Sequence, residues 1–323
     1  MVKQKISIAM CTYNGNSYLE EQLSSISQQT RLPDEMVVCD DGSTDLTVQI
    51  LKDFEKRTSF SVRFYCNENR LGYAKNFEKA INLCDGDIIF LSDQDDVWVS
   101  NKIKIIENKF KSNLNCGFVF SDALLVDEEL LSLGSTLWEN ISFIESQRRL
   151  FEVGEQAKVL LKHNVVTGAT MAFRKETRNL FLPIPDHWVH DEWITLLLSL
   201  LGIEGDFIEE PLISYRQHDK QSIGGQKKNL GEQFQKAIKS KSESIDITLN
   251  KFNCLAKRLN TINKLTKKDQ ELLKLKIDHL KIRKKIHSNN RLVGFQLIFR
   301  EMLNGNYHRY SNGWKSVVKD LCL

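Results

Sequence analysis

The chain reads as an α/β protein built on a mostly parallel sheet, extended by a basic helical region. Three observations predict this. Short apolar runs alternate with amphipathic helical segments through the first hundred residues, the pattern of strands joined by crossover helices. Polar clusters (Thr12-Tyr13-Asn14, Asp40-Asp41 and Asp93-Gln94-Asp95-Asp96) follow the apolar runs, where sheets of this kind bind ligands. The charge is split: residues 1–225 carry 23 Lys and Arg against 34 Asp and Glu, and residues 226–323 carry 22 against 8.

Each element follows from local pattern. Ile6–Cys11 is a first buried strand, and Thr12–Asn16 is a turn cluster. Ser17 is expected to cap the next helix, with Glu20 completing a capping box and Leu19, Leu23 and Ile26 forming its apolar stripe. Pro33 breaks the chain before a second strand, Glu35–Cys39. Thr44 or Asp45 caps a second helix carrying Val48, Leu51 and Phe54. Val62–Tyr65 is a third strand, Tyr73–Leu83 a helix, and Asp87–Ser92 a buried strand running into the acidic cluster. Further on, Cys116–Asp122 and Gly168–Phe173 have strand character, and Trp193–Leu201 is an apolar helix. Phe207–Tyr215 holds a short strand. Gly224-Gly225 marks a boundary between an acidic α/β part, 1–225, and a Lys-rich helical region, 226–323.

Composition sets bounds. With 323 residues, 41% hydrophobic and 27% charged, the chain can bury a sizeable core. No apolar run approaches the roughly 18 residues of a membrane span. The N-terminal Met1–Lys5 lacks a signal-peptide core, which gives a cytoplasmic expectation. Seven cysteines without a CxxC pair argue against a zinc site or disulfide framework.

The acidic cluster carries the chemistry. Three carboxylates at the end of a buried strand repel one another and resist burial, so they need solvent or a cation. Asp93 and Asp95, at alternate positions, can both reach one Mg²⁺ or Mn²⁺, which would bridge to a nucleotide diphosphate. Taken alone, the cluster is more readily a solvated acidic turn than a metal site.

Three motifs in order (the first strand with its turn, Asp40-Asp41-Gly42-Ser43-Thr44-Asp45, and Asp93-Gln94-Asp95-Asp96-Val97-Trp98) resemble the family 2 glycosyltransferases. The resemblance covers about residues 5–225 and implies a GT-A fold, a Rossmann-like nucleotide-binding catalytic domain in which 1–100 hold the donor and 101–225 bear the acceptor side and the base. Leu91–Trp98, His190-Asp191-Glu192-Trp193 and Tyr215-Arg216-Gln217-His218 are most similar to bacterial rhamnosyltransferases of cell-surface polysaccharide assembly. The resemblance implies that Thr12, Tyr13 and Asn14 line a nucleoside pocket and that Asp40 or Asp41 accepts the pyrimidine N3–H. Lys75 and Asn76 help to hold the nucleotide or solvate their helix. Asp95 coordinates the metal, Asp93 adds a metal or ribose contact, and Trp98 either floors the pocket or packs in the core. Asp191 or Glu192 is the catalytic base, with Asp191 favoured. His218 is a metal ligand, Arg216 forks onto the leaving diphosphate, and Asp219–Gly225 forms a lid.

The implied reaction is metal-dependent inverting transfer of a sugar, with dTDP-rhamnose the leading donor and a UDP-hexose or UDP-N-acetylhexosamine the alternative. The implied acceptor is a growing cell-surface polysaccharide or lipid-linked glycan. Lys274, Lys276, Lys281, Arg283, Lys284, Lys285 and Arg291, beside the apolar Leu292–Phe299, suit an anionic membrane surface or a second subunit. Nucleic acid is disfavoured because this region lacks interleaved aromatics. A sugar nucleotidyltransferase would want a basic, Gly-rich loop after the first strand, which Thr12–Asn16 does not supply. A non-catalytic nucleotide-sugar-binding protein would not need the carboxylate set.

Overall fold

The computed structural model describes residues 4–219, 241–263, 265–288 and 290–322. The elements are, in order, β1 (Ile6–Thr12), α1 (Leu19–Ser27), β2 (Glu35–Asp40), α2 (Thr47–Arg57), β3 (Ser61–Cys66), α3 (Tyr73–Leu83), β4 (Ile88–Ser92), β5 (Val97–Trp98) and α4 (Lys102–Ser112). There follow β6 (Cys116–Val126), β7 (Ser132–Thr136), α5 (Leu137–Ile141), α6 (Glu145–Glu152), α7 (Gln156–Leu160), β8 (Met171–Arg174), α8 (Arg178–Phe181), α9 (His190–Leu200) and β9 (Glu204–Arg216). The described C-terminal helices are α10 (Lys241–Ile262), α11 (Lys267–Ser288), α12 (Arg291–Leu303), α13 (Asn306–Tyr310) and α14 (Trp314–Leu321). The expected lid beyond Asp219 and the Gly224-Gly225 boundary lie outside the described residues.

The chain forms two compact units. The first contains Val165–Leu198 and the chain up to Gly154, and continues from Ile203 to Gly225. Its mixed sheet runs β3-β2-β1-β4-β8-β6-β9-β5, with β7 on the side of β6. β1 pairs in parallel with both β2 and β4, and β2 pairs in parallel with β3. The carboxyl ends of β1, β2 and β4 therefore share one edge, which is where their polar clusters emerge. β1, β2 and β4 are buried along most of their length because helices cover both faces of such a sheet. Past β4 the directions change: β8 is antiparallel to β4 and β6, and β9 is parallel to β6. Packed rings of Phe120, Trp138, Phe143, Phe151 and Phe207 fill this half.

Several local expectations are corrected. Ser17 does not cap α1: the helix starts at Leu19 after Tyr18, with no side-chain cap bond. Glu20 instead forms an ion pair with Arg57. At α2, Asp45 accepts the Thr47 N–H (3.0 Å), standing one residue before the formal cap position. Gly168–Thr170 is a 3₁₀ turn, so strand β8 starts only at Met171. The short strand expected within Phe207–Tyr215 is a 13-residue strand. Its alternation is masked because β6 and β5 flank it over different stretches.

The second unit takes in Glu155–Asn164, Ser199–Gly202 and the residues after 225, and its described part is mainly helical. Ile286, Ile298, Tyr307 and Val317 form a core cluster here. A buried polar set ties the last helices together. Asp320 accepts both prongs of the Arg283 guanidinium (2.7 Å each) and the Tyr307 hydroxyl (2.8 Å). Burial alone would raise the Asp320 carboxyl, but the Arg283 fork, His287 and Tyr307 hold it well below the usual carboxylate range. A carboxylate depressed in the folded state stabilises fully above its unfolded value, about 3.9, and less as the pH falls below that. Asp320→Ala should therefore cost about 3–5 kcal/mol, because it strands a buried guanidinium. Thermal melts from pH 7 to pH 3 should show the gap to wild type narrowing below pH ~4. An unchanged melting temperature at pH 7 would contradict this. Among the described residues no helix is long and apolar enough to cross a membrane.

Candidate active site

A cleft of ≈ 400 Å³ opens at the shared carboxyl edge of β1, β2 and β4. Thr12, Tyr13 and Asn14 line it, as do Asp41, Asp93, Asp95, Asp191 and His218. Residues separated by some two hundred positions of chain are thus gathered in one place. Tyr13 is 37% exposed and carries the Arg70 guanidinium over its ring at 3.8 Å. That leaves an aromatic surface at the cleft wall suited to a planar base.

The two aspartates after β2 divide their roles. Asp40 accepts from Thr12 Oγ1 (2.9 Å), Ser43 Oγ (2.5 Å) and the Gly42 and Ser43 amides (3.1 and 2.8 Å). It is 1% exposed and shapes the turn. Asp41 lines the cleft and accepts the Leu71 and Gly72 amides (2.7 and 2.9 Å), which fastens the start of α3 to the end of β2. Of the pair, only Asp41 presents to the cleft.

The acidic loop between β4 and β5 is anchored from both sides. Gln94, whose role was not read from the sequence, accepts the Tyr13 N–H (2.8 Å) and donates to the Tyr13 carbonyl (3.1 Å). Its amide joins the acidic loop to the turn after β1 as a strand would. Gly15 is needed for this fit, since a Cβ there would stand 2.2 Å from Gln94 Oε1. Asp96 faces inward: Oδ1 accepts the Arg216 N–H (3.2 Å), while Oδ2 has no hydrogen-bond partner. Burial, with Asp95 and Asp93 close by, pushes the Asp96 carboxyl well above its ordinary value. Burial and then Asp95 and Asp191 raise Asp93 to about 7. Lys102, in the first turn of α4, opposes this. It is fully buried, lies over the Trp98 ring at 3.8 Å and donates to the Ala169 carbonyl at 2.7 Å. Burial lowers Lys102 to about 7, although Asp96 and Asp93 pull it back up. Trp98 is 3% exposed and packs beneath Lys102 and against Phe90 in the core, so it is not the cleft floor.

Asp95 and His218 meet: Nε2 of the imidazole lies 2.8 Å from Oδ2 of the carboxylate, and the ring packs against Tyr18. Among the described residues no three His, Cys, Asp or Glu side chains converge on one point. A carboxylate and an imidazole supply part of a coordination shell, and a Mg²⁺ or Mn²⁺ ion that takes its remaining oxygens from a diphosphate and water fits that donor set. The repulsion felt by Asp93 and Asp96 is the electrostatic condition a divalent cation relieves.

Asp191 opens α9 and lines the same cleft at 7% exposure. It accepts the Gly168 amide (2.8 Å) and the Glu192 amide (2.5 Å). Glu192 is partly exposed, and it is not among the cleft-lining residues. His190, also unassigned from sequence, is 6% exposed, stacks on Phe77 at 4.1 Å and lines the cleft. Neither of its ring nitrogens has a hydrogen-bond partner, and burial lowers it to about 3, so the ring is neutral. A Cβ on Gly168 would stand 2.4 Å from His190 Nε2. Glycine there lets the loop reach Asp191.

Two expected ligand contacts are corrected. Arg216 is 1% exposed and does not line the cleft. Its guanidinium donates to the Asp95 carbonyl (2.9 Å), the Glu128 carbonyl and Glu21, and lies 4.5 Å over the Tyr18 ring. It braces the acidic loop from behind instead of facing a diphosphate. Lys75 points away from the cleft to Glu78 (3.0 Å) and the Ile184 carbonyl (2.6 Å). The Asn76 amide is used in tying α3 to Asn67 and the Cys39 carbonyl.

The fold is the GT-A glycosyltransferase fold. Staphylococcus aureus TarS bound to UDP-GlcNAc superposes with a TM-score of 0.58 at 16% identity, over 91% of this chain and 75% of that one. A mannosyltransferase from Pyrobaculum calidifontis, solved with GDP-Man and Mn²⁺, gives 0.54 at 15% identity, over 100% and 86%. The chain belongs to Glycosyl transferase family 2, whose signature matches residues 7–181. It is a glycosyltransferase. The dTDP-rhamnosyl transferase RfbG of Shigella flexneri is 27% identical over 220 residues, covering 67% of this chain and 73% of that protein.

Proposed function

We propose that the protein is a metal-dependent, inverting glycosyltransferase that moves rhamnose from dTDP-rhamnose to a hydroxyl of a growing, lipid-linked cell-surface glycan. The observation that carries the reading is the shared cleft: the Asp191 carboxylate and the Asp95–His218 pair face one space. Asp191 accepts the proton of the acceptor hydroxyl as its oxygen bonds to the anomeric carbon. The bond from that carbon to the diphosphate breaks on the opposite face, and the nucleoside diphosphate leaves with the electron pair. A bound Mg²⁺ or Mn²⁺, held by Asp95 and His218, would neutralise charge on the leaving diphosphate. Asp41, Tyr13 and Asn14 receive the nucleoside, and the Gln94 amide keeps that side in register with the acidic loop.

The pyrimidine side of the donor is supported by the Asp41 carboxylate in the cleft, an acceptor that suits the N3–H of thymine or uracil. Rhamnose is supported by the likeness to RfbG. A UDP-hexose or UDP-N-acetylhexosamine donor is the second reading, supported by the same carboxylate. A thermal-shift panel of dTDP-rhamnose, UDP-glucose, UDP-GlcNAc and GDP-mannose, with and without Mn²⁺, tests both. A ligand that binds only the folded protein raises its melting temperature by mass action. The largest Mn²⁺-dependent shift is expected with dTDP-rhamnose. A larger shift with GDP-mannose would overturn the pyrimidine assignment.

The acceptor reading places the protein at the cytoplasmic face of a membrane. Its support is the outward side of α12, where Leu292, Phe295, Phe299 and Leu303 are exposed at helical spacing on a helix that also carries Arg291 and Arg300. On α14, Trp314, Val318 and Leu321 are exposed likewise, beside Lys315 and Lys319. Apolar stripes edged by cations suit an anionic bilayer surface. Two of the basic residues expected there, Lys276 and Arg283, are instead largely buried within the helical unit. Phe295→Glu/Phe299→Glu should abolish flotation with anionic vesicles while leaving the donor-induced thermal shift intact. Unchanged flotation would exclude this face.

A further inference from the structure

We propose that the helical unit carries a second reactive site, in which Ser311, His279 and Glu301 cleave small acyl esters. Three helices bring these residues together: His279 stands on α11, Glu301 on α12, and Ser311 directly follows α13. His279 Nδ1 lies 2.6 Å from Glu301 Oε2, and its Nε2 lies 2.9 Å from Ser311 Oγ. A hydroxyl on one ring nitrogen and a carboxylate on the other are the parts of a nucleophile, its base and the group that orients the base. Such a set is recognised by geometry and not by order in the chain. None of the three residues lines the donor cleft.

One proton assignment satisfies every bond in the set. Glu301, as a carboxylate, accepts from the Nδ1–H and from the Asn306 side-chain amide at 3.0 Å. Burial holds the His279 imidazole below its ordinary value in spite of Glu301, so the ring is neutral. Nε2 is then an acceptor, and the Ser311 O–H donates to it. Nη1 of Arg283 donates to the same serine oxygen at 3.3 Å. The Tyr307 ring meets the imidazole edge-on at 5.2 Å and the Tyr310 ring flanks it at 6.2 Å. The base is thereby fixed in position before any ligand arrives.

Depth distinguishes this set from a plain buried tie between helices. His279 and Glu301 are each 1% exposed, whereas Ser311 lines a cavity of ≈ 170 Å³. The nucleophile borders open space, and its base and orienting carboxylate stand behind it. Ile245 and Leu280, both buried, give the cavity an apolar wall, and its size suits an acyl group of a few carbons. Ser311 Oγ bonds to the ester carbonyl carbon as its proton passes to Nε2, and the carbonyl π pair moves onto oxygen. The Ser311 and Asn312 amides are given to the Tyr307 carbonyl and Ser316 Oγ, so the Arg283 guanidinium stabilises that oxyanion. When the pair returns, the bond to the alcohol breaks and the alcohol leaves with the proton from Nε2. Water, deprotonated by Nε2, then attacks the acyl-serine. The carboxylic acid is released and the serine oxygen recovers its proton.

The full chain is tested with a fluorophosphonate probe, which captures activated serines, and with p-nitrophenyl acetate. The probe adduct is mapped by peptide mass. The folded protein should label at Ser311, and the same protein unfolded in urea should not. Ser311→Ala should lose both the adduct and the acetate turnover. His279→Gln should slow both by at least about a hundredfold, the lower end of what a positioned base supplies. Helical melts followed by circular dichroism show which variants keep the fold. The comparison of folded with unfolded wild type decides the matter without any variant, because a serine that serves only to tie helices together is no more reactive folded than unfolded. Absence of the Ser311 adduct from the folded protein overturns the proposal. So does acetate turnover by wild type no faster than by Ser311→Ala, or equal labelling of wild type and a folded His279→Gln.

Discussion

Asp191→Asn should bind donor as the wild type does and transfer sugar about 10²–10⁴-fold more slowly, the usual contribution of a positioned general base. The amide keeps the size of the carboxylate and can still accept the Gly168 N–H. What it lacks is the basicity to take a proton from an acceptor hydroxyl. The companion Glu192→Gln should change turnover by less than about threefold, since surface changes away from the chemistry have small effects and Glu192 does not line the cleft. Single-turnover assays on both variants, with donor affinity measured separately, distinguish a lost base from a lost fold. Wild-type turnover by Asp191→Asn, or an equal loss in Glu192→Gln, would move the base elsewhere.

Asp95→Ala should abolish the Mn²⁺-dependent part of donor binding and lower metal affinity by at least about a hundredfold, more than removal of a group that only supports a metal ligand brings. The carboxylate lies 2.8 Å from His218, so its removal takes away one of the two side chains proposed to hold the ion. His218→Ala should fall between wild type and Asp95→Ala, because a carboxylate contributes charge as well as a ligand atom while a neutral imidazole contributes only the latter. Manganese titrations followed by electron paramagnetic resonance, with the nucleoside diphosphate present, read this directly. Manganese affinity in Asp95→Ala equal to that of wild type would remove Asp95 from the site.

Much of the frame was legible because its signals are local. The α3 boundaries, Tyr73–Leu83, follow from a helical apolar stripe. The run Ile88–Ser92 is a central strand because nothing in it tolerates water. The acidic cluster stood out because like charges at the end of a buried run demand an explanation. Contacts across the sheet were less legible. Gln94 looks like a spacer between carboxylates until the turn after β1 is beside it. Lys102 went unmarked in the sequence, yet it is buried with Asp93, Asp96 and the Ala169 carbonyl at that end of its helix. Arg216 and Lys75 failed in the opposite sense. Both have the chemistry to hold phosphate, but carbonyls and carboxylates supplied by distant segments already engage them. A motif fixes which functional groups are present, and tertiary contacts decide which of them remain available to a ligand.

The pairing of β5 bears on how the protein is made. β5 follows the acidic loop at once, yet its partner is β9: Val97 pairs with Ser214 and Trp98 with Ile213. His218 lies just beyond the same strand. Chain emerging from the ribosome therefore has β1 to β4 long before the far side of the acidic loop has a partner, and pairings so distant in sequence form late. A nascent chain halted before Glu204 has three crowded carboxylates, no imidazole beside them and nothing to pair with β5. On the proposed reading, the Asp95–His218 pair is assembled only once nearly the whole first unit has been synthesised.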